Sequence, residues 1–339
     1  MGDLVSLEEV RAAARRLAGV TVRTPLVPFA AARTASGADL LIKPESLQPT
    51  GSFKLRGAYN AVYAVTRDLN SCALPAGVVA HSSGNHGFAV AYAARLLGIS
   101  AAIVVPRNAP AVKTDAIEAA GAELIRVEPT LAARIAATDE IARVRGYHPI
   151  APFDDRDVIA GQGTIGLEIA EDLTNGDQRP AAVLVPISGG GLISGIAVAV
   201  KALLPGTRVI GVEPELAADT RASLRAGERV AWTSAQTART RADALRVEQG
   251  GELTVPHIQA YVDDIVTVSE DELLDAIRRL AHQARLIAEP GGAAAVAAAL
   301  YRDGKELGVT GGTVVAVLSG GNIDPPLLAE ILRPQSYNR

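Results

Sequence analysis

The feature that most restricts what this chain can fold into is a strict alternation of short apolar runs with segments of helical period. In a first series, residues 78–81, 101–105 and 123–127 read as strands, and residues 88–97, 112–120 and 131–145 read as the helices that follow them. Gly98 and Gly121 fall where such helices should stop. A second series follows an irregular stretch at 149–157. It comprises helix 166–173, strand 181–185, helix 192–203 and strand 208–212, then strand 265–268, helices 271–286 and 293–301, and strand 314–318. Between 214 and 262 the periodicity weakens. Repeated βα units of this length require right-handed crossovers and parallel strands covered by helices. The expectation is an α/β protein of two open parallel-sheet lobes, residues 1–52 with 151–339 making the larger and 53–150 the smaller. Ligands of such sheets bind beyond the carboxyl ends of the strands, here in the cleft between the lobes.

Composition narrows the function classes. With 339 residues, 48% of them apolar, and a net charge of −4, the chain can bury substantial cores and remain soluble. Basic and acidic residues are interspersed without a basic stripe and aromatics make up only 4%, so a nucleic-acid partner is not expected. The longest apolar run, 293–300, is too short for a bilayer, and no signal-peptide layout opens the chain. Cys72 is the only cysteine, which excludes internal disulfides and zinc-knuckle spacing and fits a reducing cytoplasm.

Lys54 is the candidate reactive group. A strand at 40–42 leads into a turn rich in Pro, Gly and Thr, after which Ser52 is placed to cap a helix carrying Leu55, Ala58, Ala61, Val62 and Val65. In the first turn of that helix, Lys54 faces the positive end of the dipole and sits between Phe53 and Leu55, and both influences favour a neutral, nucleophilic amine. Taken alone, such a lysine reads better as a solvated surface residue.

Three glycine-rich loops at strand ends alter that balance. Ser82-Ser83-Gly84-Asn85-His86-Gly87 offers hydroxyls and free N–H groups to a carboxylate. Pro186-Ile187-Ser188-Gly189-Gly190-Gly191-Leu192 has the strand–loop–helix layout of a phosphate cradle. A nicotinamide dinucleotide fold competes here, with Glu213 as its ribose acid, but Ser194 stands where the third fingerprint glycine belongs. Leu318-Ser319-Gly320-Gly321-Asn322 can present the Ser319 hydroxyl to a heteroaromatic nitrogen. An amine, an anion-binding turn, a phosphate cradle and a hydroxyl for a ring nitrogen together match pyridoxal phosphate.

The motifs Ser52-Phe53-Lys54-Leu55-Arg56-Gly57-Ala58, Ser83-Gly84-Asn85-His86, Gly161-Gln162-Gly163-Thr164, Ser188-Gly189-Gly190-Gly191 and Ser319-Gly320-Gly321-Asn322 run in order along almost the whole chain. In them the sequence resembles the threonine/serine dehydratase and serine racemase family, pyridoxal phosphate enzymes of fold type II with a tryptophan synthase β-like architecture. The resemblance implies that Lys54 binds the cofactor as a Schiff base and is the general base, that Phe53 lies against the ring and that Asn85 meets the phenolic oxygen. It implies that Ser188, Gly189, Gly190, Gly191 and Leu192 hold the phosphate, and that Ser319 meets the pyridine nitrogen with Glu289 near the ring. Ser82, Ser83, Asn85 and His86 would receive the substrate carboxylate. The implied reaction is β-elimination of water from an L-threonine or L-serine type substrate by a homodimer. A racemase using Ser83 on the opposite face, or a 3-hydroxyaspartate dehydratase if Arg134 reaches the cleft, are its alternatives. Glu213, the Ala217 carbonyl and Asp219 resemble the family's divalent-cation loop, whose oxygen donors suit Mg2+ or Ca2+. The sequence departs from the family's common pattern at Ala244 and at Ser188, both near the expected pocket.

Overall fold

The computed structural model of the protein describes residues 4–32, 34–67, 74–109, 111–174 and 179–333, so that Cys72 lies outside the described residues. Helix α1 (Leu7–Leu17) opens on a reciprocal capping box between Ser6 and Glu9. The short strand β1 (Val27–Pro28) and β2 (Asp39–Pro44) then lead through a 3-10 turn, Glu45–Leu47, into α2 (Lys54–Arg67). There follow β3 (Gly77–His81), α3 (Asn85–Leu97), β4 (Ser100–Pro106), α4 (Ala111–Ala119), β5 (Glu123–Val127), α5 (Leu131–Arg145) and β6 (Tyr147–Pro149). The chain continues through α6 (Arg156–Thr174), β7 (Ala182–Pro186), α7 (Gly191–Leu203), β8 (Arg208–Pro214), α8 (Asp219–Ala226), α9 (Ser234–Thr237) and α10 (Thr254–Tyr261). It closes with β9 (Asp264–Val268), α11 (Glu270–Arg279), α12 (Pro290–Tyr301), α13 (Gly304–Leu307), β10 (Thr313–Leu318) and α14 (Pro325–Leu332).

Two sheets result, a six-stranded one in the order β1-β2-β10-β7-β8-β9 and a four-stranded one in the order β5-β4-β3-β6. Every pairing is parallel except β1 with β2. Ala182 to Pro186 of β7 and Val314 to Leu318 of β10 are buried without interruption, as parallel strands covered on both faces must be. Helix α12, apolar on all sides, is likewise sunk in the core from Pro290 to Leu300. The loops after β2, β3, β7, β8 and β10 all leave the carboxyl ends of their strands, which is where the candidate residues lie.

The local expectations hold best where periodicity is strong and shift where glycine interrupts it. Helix α3 starts at Asn85 rather than 88, and α6 starts at Arg156, ten positions ahead of the periodic segment at 166. Gly161, Gly163 and Gly166 remove the side chains that would have marked its first half. The single helix expected at 271–286 ends at Arg279 and passes into a π-helical turn, Leu280–Ala284, closed by Arg285 in the left-handed region at φ 60°. The weakly periodic stretch contains α8, α9, a 3-10 turn at Asp243–Leu245 and α10. Ser52 does not cap α2. Its hydroxyl is buried with no partner among the described residues, while its backbone pairs with Gly320 and the next N–H, that of Phe53, donates to the Ser319 carbonyl at 3.0 Å. Strand-end pairing, rather than a side-chain cap, therefore sets where this helix begins.

Candidate active site

Lys54 is the first residue of α2, and its Nζ donates to the Pro152 carbonyl at 2.6 Å, 5.2 Å from the centre of the Phe53 ring. Burial pushes its pKa down to about 8, with the negative charge of Glu289 opposing the shift. A substantial fraction of the amine is thus neutral at physiological pH.

At the opposite side of the site, α7 starts without a side-chain cap, so its first-turn N–H groups remain available to an anion. Its cap residue, Gly190, has φ 93°, a conformation that L side chains rarely adopt. Gly189 is packed against Phe153, where an added Cβ would come within 2.3 Å of the ring. The Thr254 hydroxyl donates to the Gly189 carbonyl at 2.6 Å and accepts the Gly251 N–H at 2.9 Å, and three backbone N–H groups, of Glu252, Leu253 and Thr254, bond the Asp154 carboxylate. The Ser188 hydroxyl is buried with no partner among the described residues. An orphaned hydroxyl beside an uncapped helix start fits a phosphate.

The β10 loop carries the third group. Ser319 is buried, its backbone held by Gly292 and Phe53. Beside it Glu289 Oε1 accepts the Asn85 side-chain amide at 2.7 Å, while Asn85 Oδ1 accepts from Asn322, which also donates to the Thr50 carbonyl at 2.8 Å. Asn85 therefore joins the start of α3 to the end of β10.

In the loop after β3, the Gly84 N–H donates to Ser82 Oγ at 3.2 Å, and the space beside the Gly84 Cα is open. Ser83 lies between them, partly buried. The His86 ring points inward. Its Nε2 meets the Ile150 carbonyl at 2.9 Å, and burial together with the Lys54 charge drives its pKa down to about 3, so it is a neutral donor and no cationic partner for a carboxylate. What His86 can offer a substrate is its main-chain N–H in the first turn of α3. Arg134 is on α5, and its charge reinforces burial in holding the pKa of His81, the last residue of β3, below the usual histidine value. The guanidinium therefore lies within electrostatic reach of the Ser82 loop.

Glu213 ends β8 beside α8, and its two carboxylate oxygens accept the Thr220 and Arg221 N–H groups at 3.0 and 2.8 Å. Burial and the neighbouring Asp219 push it up to about 8, and burial pushes Asp219 up to about 7. Asp219 Oδ2 is buried without a partner among the described residues. Two crowded carboxylates with an orphan oxygen, next to the buried Ala217, fit a hard divalent cation.

Sequence reasoning passed over a second set of charges directly behind Lys54. Arg56 is 1% exposed and chelates Glu45 at 2.7 and 2.9 Å and Glu168 at 2.6 and 3.0 Å, and Lys43, 0% exposed, meets Glu168 at 2.6 Å. Charged residues set inside the apolar runs of β2 and α2 were the available signal.

An amine, an anion cradle, a hydroxyl and a carboxylate-binding turn, gathered at the strand ends of two parallel sheets, are the layout of a pyridoxal phosphate site. The chain belongs to the pyridoxal-phosphate dependent enzyme family, whose model matches residues 17–320. It is 41% identical to the L-threonine ammonia-lyase of Thermotoga maritima over 97% of this chain and 78% of that one. It is 37% identical to a serine racemase of Oryza sativa subsp. indica over 98% and 95% of the two chains. Identity to the L-threo-3-hydroxyaspartate ammonia-lyase of Saccharomyces cerevisiae is also 37%, over 96% and 95%. The crystal structure of the serine racemase of Dictyostelium discoideum superimposes with a TM-score of 0.85 at 36% identity, covering 94% of this chain and 99% of that one.

Proposed function

We propose that this enzyme removes water from a 3-hydroxy amino acid of the L-threonine or L-serine type and releases a 2-oxo acid and ammonia. The observation that carries this reading is the Lys54 amine, brought down to about 8 by burial, bonded to the carbonyl of Pro152 next to the Phe153 that packs on Gly189, and within electrostatic reach of His86. Bound pyridoxal phosphate supplies an electron sink for the carbanion that forms at the substrate Cα. Lys54 Nζ, in its neutral form, takes the Cα proton. Ser188, Gly189, Gly190, Gly191 and Leu192 hold the phosphate through the start of α7, with Phe53 against the ring. Asn85 would meet the phenolic oxygen with the second hydrogen of its side-chain amide, the first being given to Glu289. Ser82, Ser83 and the first-turn N–H groups of α3, that of His86 among them, receive the substrate carboxylate. Ser319 would place a neutral hydroxyl at the pyridine nitrogen, which does not keep that nitrogen protonated, so prompt loss of the β-hydroxyl is favoured, with the proton that Lys54 Nζ took from Cα available to release it as water. The resulting enamine hydrolyses to the 2-oxo acid and ammonia.

Purified protein given L-threonine, L-serine, phenylserine and both 3-hydroxyaspartate diastereomers tests this directly, with the oxo acid as the expected product. Lys54→Ala should lose both turnover and the visible absorption of the bound cofactor. Faster formation of the D-isomer than of the oxo acid would replace dehydration by racemisation, with Ser83 acting on the opposite face. A second reading is favoured by Arg134 standing close to His81, next to the Ser82 loop: a substrate with a second carboxylate, such as 3-hydroxyaspartate. Arg134→Ala should then lower kcat/KM for 3-hydroxyaspartate and spare L-threonine. The proposal is completed by a Mg2+ or Ca2+ at Glu213, Asp219 and the Ala217 carbonyl, by residues 53–150 acting as the smaller lobe, and by a homodimer working in the cytoplasm. Size-exclusion chromatography tests the oligomeric state. No helix among the described residues is long and apolar enough to cross a membrane.

A further inference from the structure

The motif Gly161-Gln162-Gly163-Thr164 touches neither the amine nor the cradle, yet it lies between the helices that carry them. Residues two apart on a helix point to opposite sides. Gly161 accordingly faces α2, where an added Cβ would fall 2.6 Å from the Arg56 carbonyl and 2.7 Å from Gly57 Cα. Gly163 faces α7 and α1, where an added Cβ would lie 2.9 Å from the Gly195 carbonyl and 2.7 Å from Val10 Cγ2, and Gly195 in turn has no room for a Cβ, which would lie 2.2 Å from the Ile159 carbonyl. Helix α6 is therefore gripped backbone-to-backbone from both sides. The grip on α2 lies within a turn of Lys54, and the grip on α7 lies one turn beyond the 188–191 loop.

Side chains lock the register. Gln162 Oε1 accepts the Gly57 N–H at 3.2 Å, and the Thr164 hydroxyl accepts from Arg56 Nη1 at 3.1 Å while donating to the Gly161 carbonyl at 2.6 Å. The segment just ahead of α6 spans the same gap, since Pro152 takes the Lys54 amine, Phe153 packs on Gly189 and Gly191, and Asp154 holds the start of α10.

We propose that Gly161, Gln162, Gly163 and Thr164 are positioning residues that set the distance between the Lys54 amine and the phosphate cradle. This rests on the roles given above to Lys54 and to 188–192. A rigid cofactor must meet both ends at once, so a spacing error weakens the joint engagement without harming either end by itself.

The experiment uses the full-length chain stripped of cofactor and compares three ligands: inorganic phosphate for the cradle, pyridoxal for the amine, and pyridoxal phosphate for both. In Gly161→Ala and Gly163→Ala, phosphate and pyridoxal should bind as in the parent protein, while pyridoxal phosphate should bind roughly 100-fold more weakly, the scale of a displacement of about 1 Å. Thr164→Val and Gln162→Ala keep the backbone contacts and should show the same selective loss to a smaller degree. These two decide the matter if the glycine variants do not fold. Gly304→Ala, whose Cβ would lie 2.5 Å from the Val309 carbonyl far from the site, is the control for general destabilisation. A loss for pyridoxal phosphate that only follows the loss for phosphate or pyridoxal, or that Gly304→Ala reproduces, would overturn the spacer role. If the parent protein forms no imine with pyridoxal or does not bind phosphate, the assignment of Lys54 or of the cradle fails instead.

Discussion

Two lysines eleven positions apart show how surroundings assign different tasks to one side chain. Lys43 is fully buried and its Nζ meets the Glu168 carboxylate at 2.6 Å, so its charge is matched on the spot. Lys54 is given only a neutral carbonyl, that of Pro152, with Glu289 acting from further away. Its pKa is accordingly depressed, and the sign of the linkage follows. Below about 8 the protonated amine opposes folding, and that penalty fades as pH rises toward the ordinary value of 10.5. In cofactor-free protein, the rate at which an amine reagent modifies Lys54, followed by mass spectrometry, should therefore rise with a midpoint near 8. A midpoint at the ordinary lysine value would show that the amine is solvated. The sequence pointed to the residue through its place in a helix start, but the dominant cause of the shift is burial, which no local pattern displays.

Among the elements, strands such as β7 and β10 were legible because parallel strands covered on both faces are continuously apolar, while the short β1 and β6 were not foreseen, and α5 matched its expected bounds because both ends carry signals, a Thr130 cap and Gly146 in the left-handed region. What the pattern hid is how elements are fastened to one another. Helix α2 is tied to β2, the 3-10 turn and α6 by Arg56, Glu45, Lys43 and Glu168, residues far apart in sequence whose charges balance only in the fold. Buried pairs of this kind add little net stability, but removing one member strands the others. Arg56→Met should cost about 3 to 5 kcal/mol in chemical denaturation, and Glu45→Gln added to it should recover part of that loss. Equal losses in the single and double variants would mean that Arg56 acts through packing alone. At the start of α8 the imbalance is of the opposite kind, since burial pushes up both Glu213 and Asp219 and the Asp219 charge adds to the rise at Glu213. With both carboxyls raised from the ordinary 4.5 and 3.8, stability is lost as pH rises from those values, the penalty is complete above about 7 to 8, and a bound cation relieves it. Adding Mg2+ or Ca2+ should raise Tm more at pH 8.5 than at pH 6, and Asp219→Asn should abolish the difference.

At the scale of the whole molecule, the alternation of βα units foretold two parallel sheets, whereas the contacts that join them, the packing of α2 on α6 and single side chains in loops, follow no local pattern. Asn85 makes the clearest of these joints. It leaves the four-stranded sheet at the start of α3 and ends on Glu289 and Asn322, which belong to the loops around α12 and β10 of the six-stranded sheet. Asn322 also fixes Thr50 in the turn ahead of Lys54, and no residue can replace Gly51 beside it, where a Cβ would lie 2.2 Å from Asn322 Oδ1 in a backbone at φ 70°. Asn322 thereby holds the turn before the amine and the loop after β3 in one arrangement. Asn322→Ala removes both donated bonds without touching Lys54, the cradle or the core. A hydrogen bond of this type contributes about 1 kcal/mol, so the expected change is modest: Tm falls by a few degrees and KM for the amino acid rises roughly 3- to 10-fold, while kcat stays near its parent value. That split follows because the proton-transfer group keeps its surroundings and only the loop that receives the carboxylate is loosened. A fall in kcat with KM unchanged would instead place the coupling at Lys54 and show that the turn at Thr50, not the loop at Asn85, is what Asn322 controls.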